Sequence, residues 1–199
     1  MKQKISLVLV ALSLTFFVSC DNYKKKENQE DQKVEVAIKP ETTKTITEQE
    51  VLETQKIWGE GIVRIGKVYS DGGDYKAEAE KHIDELYGYN LGSVFFKPTM
   101  ASEKQFRLSK RGALSYFIGH DSEYTEDHGF AIKPWSNVRW ESIGVKSIGN
   151  MAIALGNYYF TPDNGGAEVK VEYTFAYTKD KDGKLRIIGH GSHLPYSPK

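Results

Sequence analysis

Cysteine is almost missing from this sequence, since Cys20 is the only one in 199 residues. A disulfide bond within the chain is therefore impossible, and a zinc cluster built from several thiolates is excluded. An excess of one charge is missing too, because 27 Lys and Arg residues balance 27 Asp and Glu residues. This balance argues against a general binder of nucleic acid or of anionic membranes.

The first residues are typical of a bacterial export signal. Lys2 and Lys4 precede an apolar run over residues 5–18, which ends at Ser19 and Cys20. The run is too short for a stable transmembrane helix and fits a signal peptide. A small residue directly before a cysteine resembles the lipobox of bacterial lipoproteins, whereas the alternative is an ordinary secretory signal with a cysteine nearby. We predict a signal peptide over residues 1–19, a lipid anchor on Cys20, and a place in the cell envelope facing the periplasm or the exterior.

The next segment, residues 20–46, is predicted to be the lipidated cysteine and a disordered tether. It holds Lys, Glu, Gln and Thr with few apolar side chains, so it cannot bury enough surface to offset the entropy lost on ordering. The remaining residues, 47–199, have a normal length for one domain with one core.

Two helices are predicted at the start of this domain. Thr47 and Glu50 form a capping box, and apolar residues at helical spacing follow as far as Val68. Gly59 and Gly61 lie inside this long helix, which predicts that another element packs closely against it. Trp58 is assigned to the core. Asp74 is predicted to cap a second helix that runs to about Tyr87.

Most of the following chain is predicted to form strands. Short strands are predicted at 93–97, which Pro98 ends, and at 105–108, and Ser109 then caps a short helix that reaches Phe117. Four longer strands follow, over residues 138–148, 151–160, 168–178 and 184–193. Asp182 and Gly183 favour a type I′ hairpin before the last strand. The order predicts an α+β, cone-shaped fold with a long N-terminal helix packed on a curved antiparallel sheet.

The last predicted strand carries an unusual polar pair. Alternation places His190 and Ser192 on one face with Arg186 and Ile188, while Leu185, Ile187, Gly189, Gly191 and His193 share the other face. Two glycines weaken a strand unless a ligand or another backbone comes close. We therefore expect a site on the face of His190 and Ser192.

The end of the chain resembles a known family. Residues 190–198, with the sequence HGSHLPYSP, resemble the His-His-Ser-Ser-x-Pro signature of the iota-class carbonic anhydrases. Gly191 stands where the second histidine of the signature is expected, and His193 where its second serine is expected. Five further segments between residues 51 and 198 resemble that family in order: WGEG at 58–61, GGDY at 72–75, FKPT at 96–99, GALSYF at 112–117 and KPW at 133–135.

The resemblance implies a nuclear-transport-factor-like fold and a lyase that interconverts carbon dioxide and bicarbonate. It adds Thr99, from the FKPT match, and Tyr116, from the GALSYF match, to His190 and Ser192. The predicted site thus combines three hydroxyl groups and one imidazole in the pocket between the helix and the concave sheet face.

The chemistry can follow two routes. In the first route, a metal such as zinc or manganese would activate water, but a metal normally needs three protein ligands. The histidines are predicted in different places: His82 on an external helix, His120 and His128 in a loop, and His190 and His193 on opposite strand faces. In the metal-free route, Ser192, Thr99 and Tyr116 orient water and bicarbonate, while His190, with an ordinary pKa of about 6.5, accepts or relays the proton. The resemblance allows both routes, and we favour the one without a cofactor.

A non-catalytic function is the alternative. The fold also resembles the association domain of calcium/calmodulin-dependent kinases, so the protein could be a module for binding a small ligand or for self-association. An enzyme predicts a small polar pocket around the hydroxyl groups, whereas a binding module predicts a larger apolar cavity.

Self-association is predicted for either function. The strands carry more aromatic side chains than one face can bury, and alternation places Tyr173, Phe175 and Tyr177 together. We therefore predict a homodimer built on the convex sheet face, as the resemblance also implies.

Overall fold

A computed structural model describes residues 45–198. The predicted signal peptide, Cys20 and most of the predicted tether lie outside these residues. Ile46, the last residue of the predicted tether, is 1% exposed and belongs to the core, so the folded domain begins slightly earlier than expected. Within residues 45–198, no helix combines the length and the apolar character needed to cross a membrane.

The long first helix is confirmed as α1, Glu48–Ser70. Its capping box is complete, because the Glu50 N–H donates to the Thr47 hydroxyl and the Thr47 N–H donates to the Glu50 carboxylate at 2.8 Å. The helix buries Trp58 and Ile62 against the rest of the domain. The prediction that Trp58 belongs to the core is therefore confirmed.

The second helix, α2, spans Tyr75–Leu86, and Asp74 caps it by accepting the Ala77 N–H. Its His82 is 2% exposed, so the prediction of an external histidine is wrong. The cause lies in α1, where a Cβ atom built on Gly61 would come within 2.1 Å of His82 Nδ1. The missing side chain at Gly61 lets the two helices approach, which buries the imidazole between them.

A short strand and a short helix carry two of the predicted site residues. Strand β1, Phe95–Lys97, ends before Pro98, and helix α3, Lys110–Ile118, begins after the predicted cap Ser109. The predicted strand over residues 105–108 is wrong. Arg107 is fully buried there and pairs with Asp127 at 2.7 Å, so side-chain bonds hold this segment in an irregular conformation.

The sheet has five strands in the order β1-β5-β4-β3-β2. The four longer strands are β2, Trp135–Ile148, β3, Met151–Pro162, β4, Val169–Lys179, and β5, Leu185–His193. They form an antiparallel meander, while β1 pairs with β5 in parallel. The predicted α+β cone, with α1 against the concave face of the sheet, is confirmed.

The hairpin before β5 differs from the predicted type I′ turn. Gly183 has a φ of 75°, but Asp182 does not share a positive φ. The Gly183 N–H donates to the Asp180 carbonyl, and the Asp180 N–H donates to the Lys184 carbonyl, both at 2.9 Å. This is the three-residue hairpin in which only the glycine adopts the left-handed conformation.

A β-bulge interrupts β5. Ala176 faces Gly189 across the ladder whereas Tyr177 faces Ile187, so Ile188 is an extra residue. Because of this residue, Ile187 is buried at 1% exposure, and the predicted faces of Ile187 and Ile188 are wrong. The alternation is regular beyond the bulge, and His190 and Ser192 share the inner face as predicted.

The aromatic side chains of the meander fill the core. Tyr158, Phe160, Tyr173, Phe175 and Tyr177 are each at most 3% exposed. Tyr173, Phe175 and Tyr177 point to the concave side. They therefore cannot be the reason for the dimer through the convex face that the sequence analysis predicts.

Candidate active site

Two hydroxyl groups meet where β1 and β5 end. Pro98 has no N–H with which to continue the ladder, so Thr99 leaves β1 and turns toward the inner face. The Thr99 hydroxyl donates to the Ser192 hydroxyl at 3.0 Å. Ser192 is 2% exposed and Thr99 is half-buried, so the pair lies at the edge of the interior.

Two phenols complete this group. Tyr116, near the end of α3, is 6% exposed. Burial raises the pKa of Tyr116, and the nearby Met100 backbone and Thr99 hydroxyl offset only part of this rise. Burial likewise raises the pKa of Tyr158, on the inner face of β3, and the neighbouring Ser192 and Thr99 hydroxyl groups offset only part of this rise. Both phenols therefore keep their protons at neutral pH.

We call Thr99, Tyr116, Tyr158 and Ser192 the hydroxyl cluster. The structure brings together the three hydroxyl residues predicted from the sequence, and it adds Tyr158, which sequence reasoning missed. Alternation along β3 places Tyr158 on the inner face, but nothing in the sequence distinguishes it from the other inner aromatic residues.

His190 lies beside the cluster in an apolar environment. Its ring stacks on Phe175, with centroids 4.0 Å apart, and on Phe96 at 4.7 Å. Burial, with a smaller contribution from His82, lowers the pKa of His190 to about 3. The ordinary pKa assumed in the sequence analysis therefore does not apply, and the ring is neutral at physiological pH.

Both ring nitrogens of His190 face hydroxyl groups. Nδ1 lies 2.9 Å from the Tyr87 hydroxyl, and Nε2 lies 3.4 Å from the Tyr158 hydroxyl. The Trp58 indole N–H donates to the Tyr87 oxygen at 2.9 Å. A continuous set of polar contacts thus runs from α1 through His190 to the hydroxyl cluster.

A small pocket adjoins the cluster at Tyr116. Its volume is about 90 Å³, and Met100, Phe130 and Lys133 also line it. Deeper in the domain, rings such as Trp58 and Phe175 occupy the space between α1 and the sheet. Tyr116 is the one cluster residue that lines this pocket. A larger, mainly apolar pocket of about 320 Å³ lies at Phe95, Ile188 and Gly189, so pocket size does not separate an enzyme from a binding module.

A buried ionic network holds the segments that carry Thr99 and Tyr116. Burial would raise the pKa of Glu126, but the N–H groups of Glu103, Ser102 and Lys104 bind its carboxylate and lower the pKa to about 2. The adjacent Asp127 accepts hydrogen bonds from Arg107 at 2.7 Å and from Ser115, the neighbour of Tyr116, at 2.6 Å. These bonds fix the loop after Thr99 relative to α3.

The other histidines lie apart from the cluster. His193 is exposed on the outer face of β5, and His120 and His128 are exposed in their loop. In the part of the chain that the structure describes, no three His, Cys, Asp or Glu residues stand close enough to hold a metal ion. Gly191 and His193, the two departures from the family signature, are on the face opposite the hydroxyl cluster, as predicted.

The fold and the site define a compact α+β cone domain with a small polar site on its inner face. A family model described as "Metal-independent carbonic anhydrase" matches residues 49–194. A metal-independent carbonic anhydrase of Nostoc sp. (strain PCC 7120 / SAG 25.82 / UTEX 2576) is 46% identical over 160 residues, which cover 79% of this chain and 78% of the relative.

A solved structure agrees with the family match. The crystal structure of an iota-carbonic anhydrase from a cyanobacterium, complexed with bicarbonate, has 44% sequence identity and a TM-score of 0.75, and the match covers 77% of this chain and 95% of that one. The chain belongs to the metal-independent carbonic anhydrase family. The resemblance inferred from the sequence is therefore confirmed, and the family favours the metal-free route over zinc or manganese.

Proposed function

We propose that this protein interconverts carbon dioxide and bicarbonate without a metal cofactor. The observation that carries the proposal is the hydroxyl cluster, in which Thr99 and Ser192 bond directly and two protonated tyrosines lie beside them. The 44% identical relative was crystallised with bicarbonate, a small planar anion whose oxygens accept hydrogen bonds from such groups.

The cluster supplies orientation and charge stabilisation. Hydration forms a bond between the water oxygen and the carbon of carbon dioxide, and one proton leaves as bicarbonate forms. Negative charge grows on the substrate oxygens during this step, and positioned O–H donors stabilise it. Thr99 is half-buried, so the cluster reaches solvent there, and solvent receives the released proton.

His190 has a different role from the one expected. With its pKa lowered to about 3, the imidazole is a poor proton acceptor near neutral pH. Its contact with the Tyr158 hydroxyl makes it a hydrogen-bond partner of the cluster instead of the base that receives the proton.

A hydration assay tests the proposal. The full-length chain, purified in detergent, is expected to hydrate carbon dioxide at the same rate with and without a chelator, and added zinc or manganese should not raise that rate. If no activity appears under any of these conditions, the non-catalytic module becomes the better account. Activity that the chelator abolishes would instead support the metal route.

We propose further that the protein is a lipoprotein of the cell envelope. The support is the signal-like segment over residues 1–19 and the single cysteine that follows it. Cys20→Ala should move the protein from the membrane fraction to the soluble envelope fraction. Unchanged membrane association would remove this proposal.

We also propose a homodimer that forms through the convex sheet face. The support comes from exposed apolar residues on that face, including Phe95 at 73%, Ile153 at 47% and Leu155 at 48% exposure. Light scattering should give the mass of a dimer, and Ile153→Glu should lower it. A monomeric mass for the wild type at high concentration would contradict the dimer.

A further inference from the structure

We propose that Trp58 and Tyr87 are positioning residues that hold His190 as the tautomer with its proton on Nε2, and that this tautomer orients the hydroxyl cluster as a set of donors toward the substrate anion. The part of this inference that concerns the substrate rests on the proposed function. The part that concerns the tautomer stands on the geometry alone.

The argument starts at Trp58, whose indole nitrogen can only donate. It donates to the Tyr87 oxygen at 2.9 Å, and both residues are 1% exposed. The Tyr87 hydrogen must then find another acceptor, although aromatic rings such as Phe96 and Phe117 surround this phenol. His190 Nδ1, at 2.9 Å, is that acceptor.

The opposite arrangement is unfavourable. If Nδ1 carried the proton and donated to Tyr87, the phenol oxygen would accept two hydrogen bonds and its own hydrogen would have no partner. An unsatisfied donor inside an apolar core costs free energy. The buried Trp58 N–H thus decides which way the hydrogen bond between Tyr87 and His190 runs.

The direction of the hydrogen bond at Nδ1 determines which nitrogen of the imidazole ring carries the proton. Burial keeps His190 neutral, so the ring carries one proton, and with Nδ1 as acceptor that proton lies on Nε2. Nε2 faces the Tyr158 oxygen at 3.4 Å. Tyr158 therefore accepts from His190, and its own hydrogen turns away from the ring, toward the neighbouring hydroxyl groups of Thr99 and Ser192, which act to lower its pKa.

The consequence is a cluster with one hydrogen-bond polarity. Tyr158 directs its hydrogen toward the pair, Thr99 donates to Ser192, and the Ser192 hydrogen remains for a substrate oxygen. A donor suits an anion, whereas reversed polarity would present lone pairs and repel it. Trp58 and Tyr87 do not touch the substrate, yet they determine whether the site presents hydrogen-bond donors or acceptors to it.

Nitrogen-15 NMR of the histidine rings in the full-length protein tests the tautomer directly. We expect a neutral His190 with the proton on Nε2 at pH 8 and at pH 5, with its signals assigned by their loss in His190→Gln. A proton on Nδ1, or a mixture of the two tautomers, overturns the proposal. This readout does not need activity, so an inactive protein with the expected tautomer would refute the proposed function and leave the tautomer inference standing.

Two variants test the cause and the consequence. Tyr87→Phe and Trp58→Phe should each give a mixture of His190 tautomers and lower kcat by about 10-fold, less than the roughly 10²–10³ that follows from losing a donor on the reacting atoms. Tyr89→Phe is the matched control, because its ring stacks on Tyr87 but its hydroxyl bonds the Arg107 carbonyl; the tautomer should not change.

A purely structural role gives a different result. If Tyr87→Phe lowers the melting temperature while the tautomer and kcat stay as in the wild type, Tyr87 serves packing only and the proposal fails. If the variants do not fold, the tautomer measured in the wild-type protein still tests the proposal.

Discussion

Thr99 and Ser192 are separated by 93 residues in the chain, yet their hydroxyl groups share a 3.0 Å hydrogen bond. The parallel ladder between β1 and β5 makes this possible, because it pairs Phe96 with His190 and Lys97 with Gly191. A slip of one residue in this ladder would turn Thr99 away from Ser192. The register of a three-residue strand therefore determines whether the site exists.

Removing single hydroxyl groups should disable the site without unfolding the domain. Ser192→Ala, Thr99→Val, Tyr116→Phe and Tyr158→Phe each delete a positioned donor and keep most of the side-chain volume. We expect each variant to lose roughly 10²–10³ in kcat, measured by stopped-flow carbon dioxide hydration.

His193→Ser is the control for these variants, since it restores the family's residue on the outer face and should change kcat far less. Full activity of Ser192→Ala together with loss of activity in His193→Ser would show that the faces of β5 are assigned the wrong way round.

Acid should destabilise the domain through its two buried histidines. Burial lowers the pKa of His82 and of His190 to about 3, against about 6.5 in an unfolded chain. Unfolding therefore takes up protons below pH 6.5, so stability falls as the pH drops from there toward 3. Between pH 7.5 and pH 5 the loss is roughly 2 kcal/mol per histidine, which urea unfolding measures.

His82→Leu separates the two histidines, because His82 lies outside the site. This variant should show about half of the wild-type loss between pH 7.5 and pH 5. A wild-type free energy of unfolding that does not change over this interval would contradict the neutral, buried state of both rings.

The contact between α1 and α2 should not tolerate a methyl group. A Cβ at position 61 would lie 2.1 Å from His82 Nδ1, so Gly61→Ala should cost roughly 1–3 kcal/mol even though alanine favours a helix by about 1 kcal/mol. Gly144→Ala is the control, because its new Cβ meets no atom within 4 Å. Thermal unfolding compares the two variants.

A double mutant identifies the cause of this cost. Adding His82→Ala to Gly61→Ala removes the ring that the methyl group strikes, so the cost of Gly61→Ala should largely disappear in that background. If the two costs simply add, the helices do not meet in the way described.

Glu126 should control the loop that follows Thr99. Its carboxylate accepts the N–H groups of Ser102, Glu103 and Lys104 at 2.7 to 2.9 Å. Glu126→Gln weakens these bonds, so the three amides should exchange hydrogen faster and kcat should fall. Glu123→Gln is the control, because it affects only exposed ion pairs with Lys104 and Arg111. Equal exchange rates in both variants would show that Glu126 does not hold the loop.

The sequence was sufficient for those features that depend on local pattern. The capping box at Thr47, the end of β1 at Pro98 and the inner face of His190 and Ser192 all follow from spacing and alternation. Thr99 and Tyr116 could be assigned only through the family resemblance, because no local pattern relates a residue after a strand to a tyrosine on a helix.

The features that were missed depend on contacts between distant residues. Gly61 predicted a close neighbour, but nothing in the sequence indicated that this neighbour is His82. The segment at Arg107 is apolar enough to predict a strand, yet the pairing of that buried guanidinium with Asp127 determines its conformation. Tyr158 joins the site only because β3 pairs with β4, and β4 with β5.

The parallel pairing of β1 with β5 also has a kinetic meaning. When β1 pairs with β5, the chain between them, which includes the rest of the meander, becomes one closed loop. Closing this loop costs conformational entropy before the contact between β1 and β5 contributes any stability. The antiparallel hairpins between them join neighbours in sequence and close sooner. During refolding, recovery of catalysis should therefore lag behind recovery of secondary structure, so activity marks the completion of the native topology.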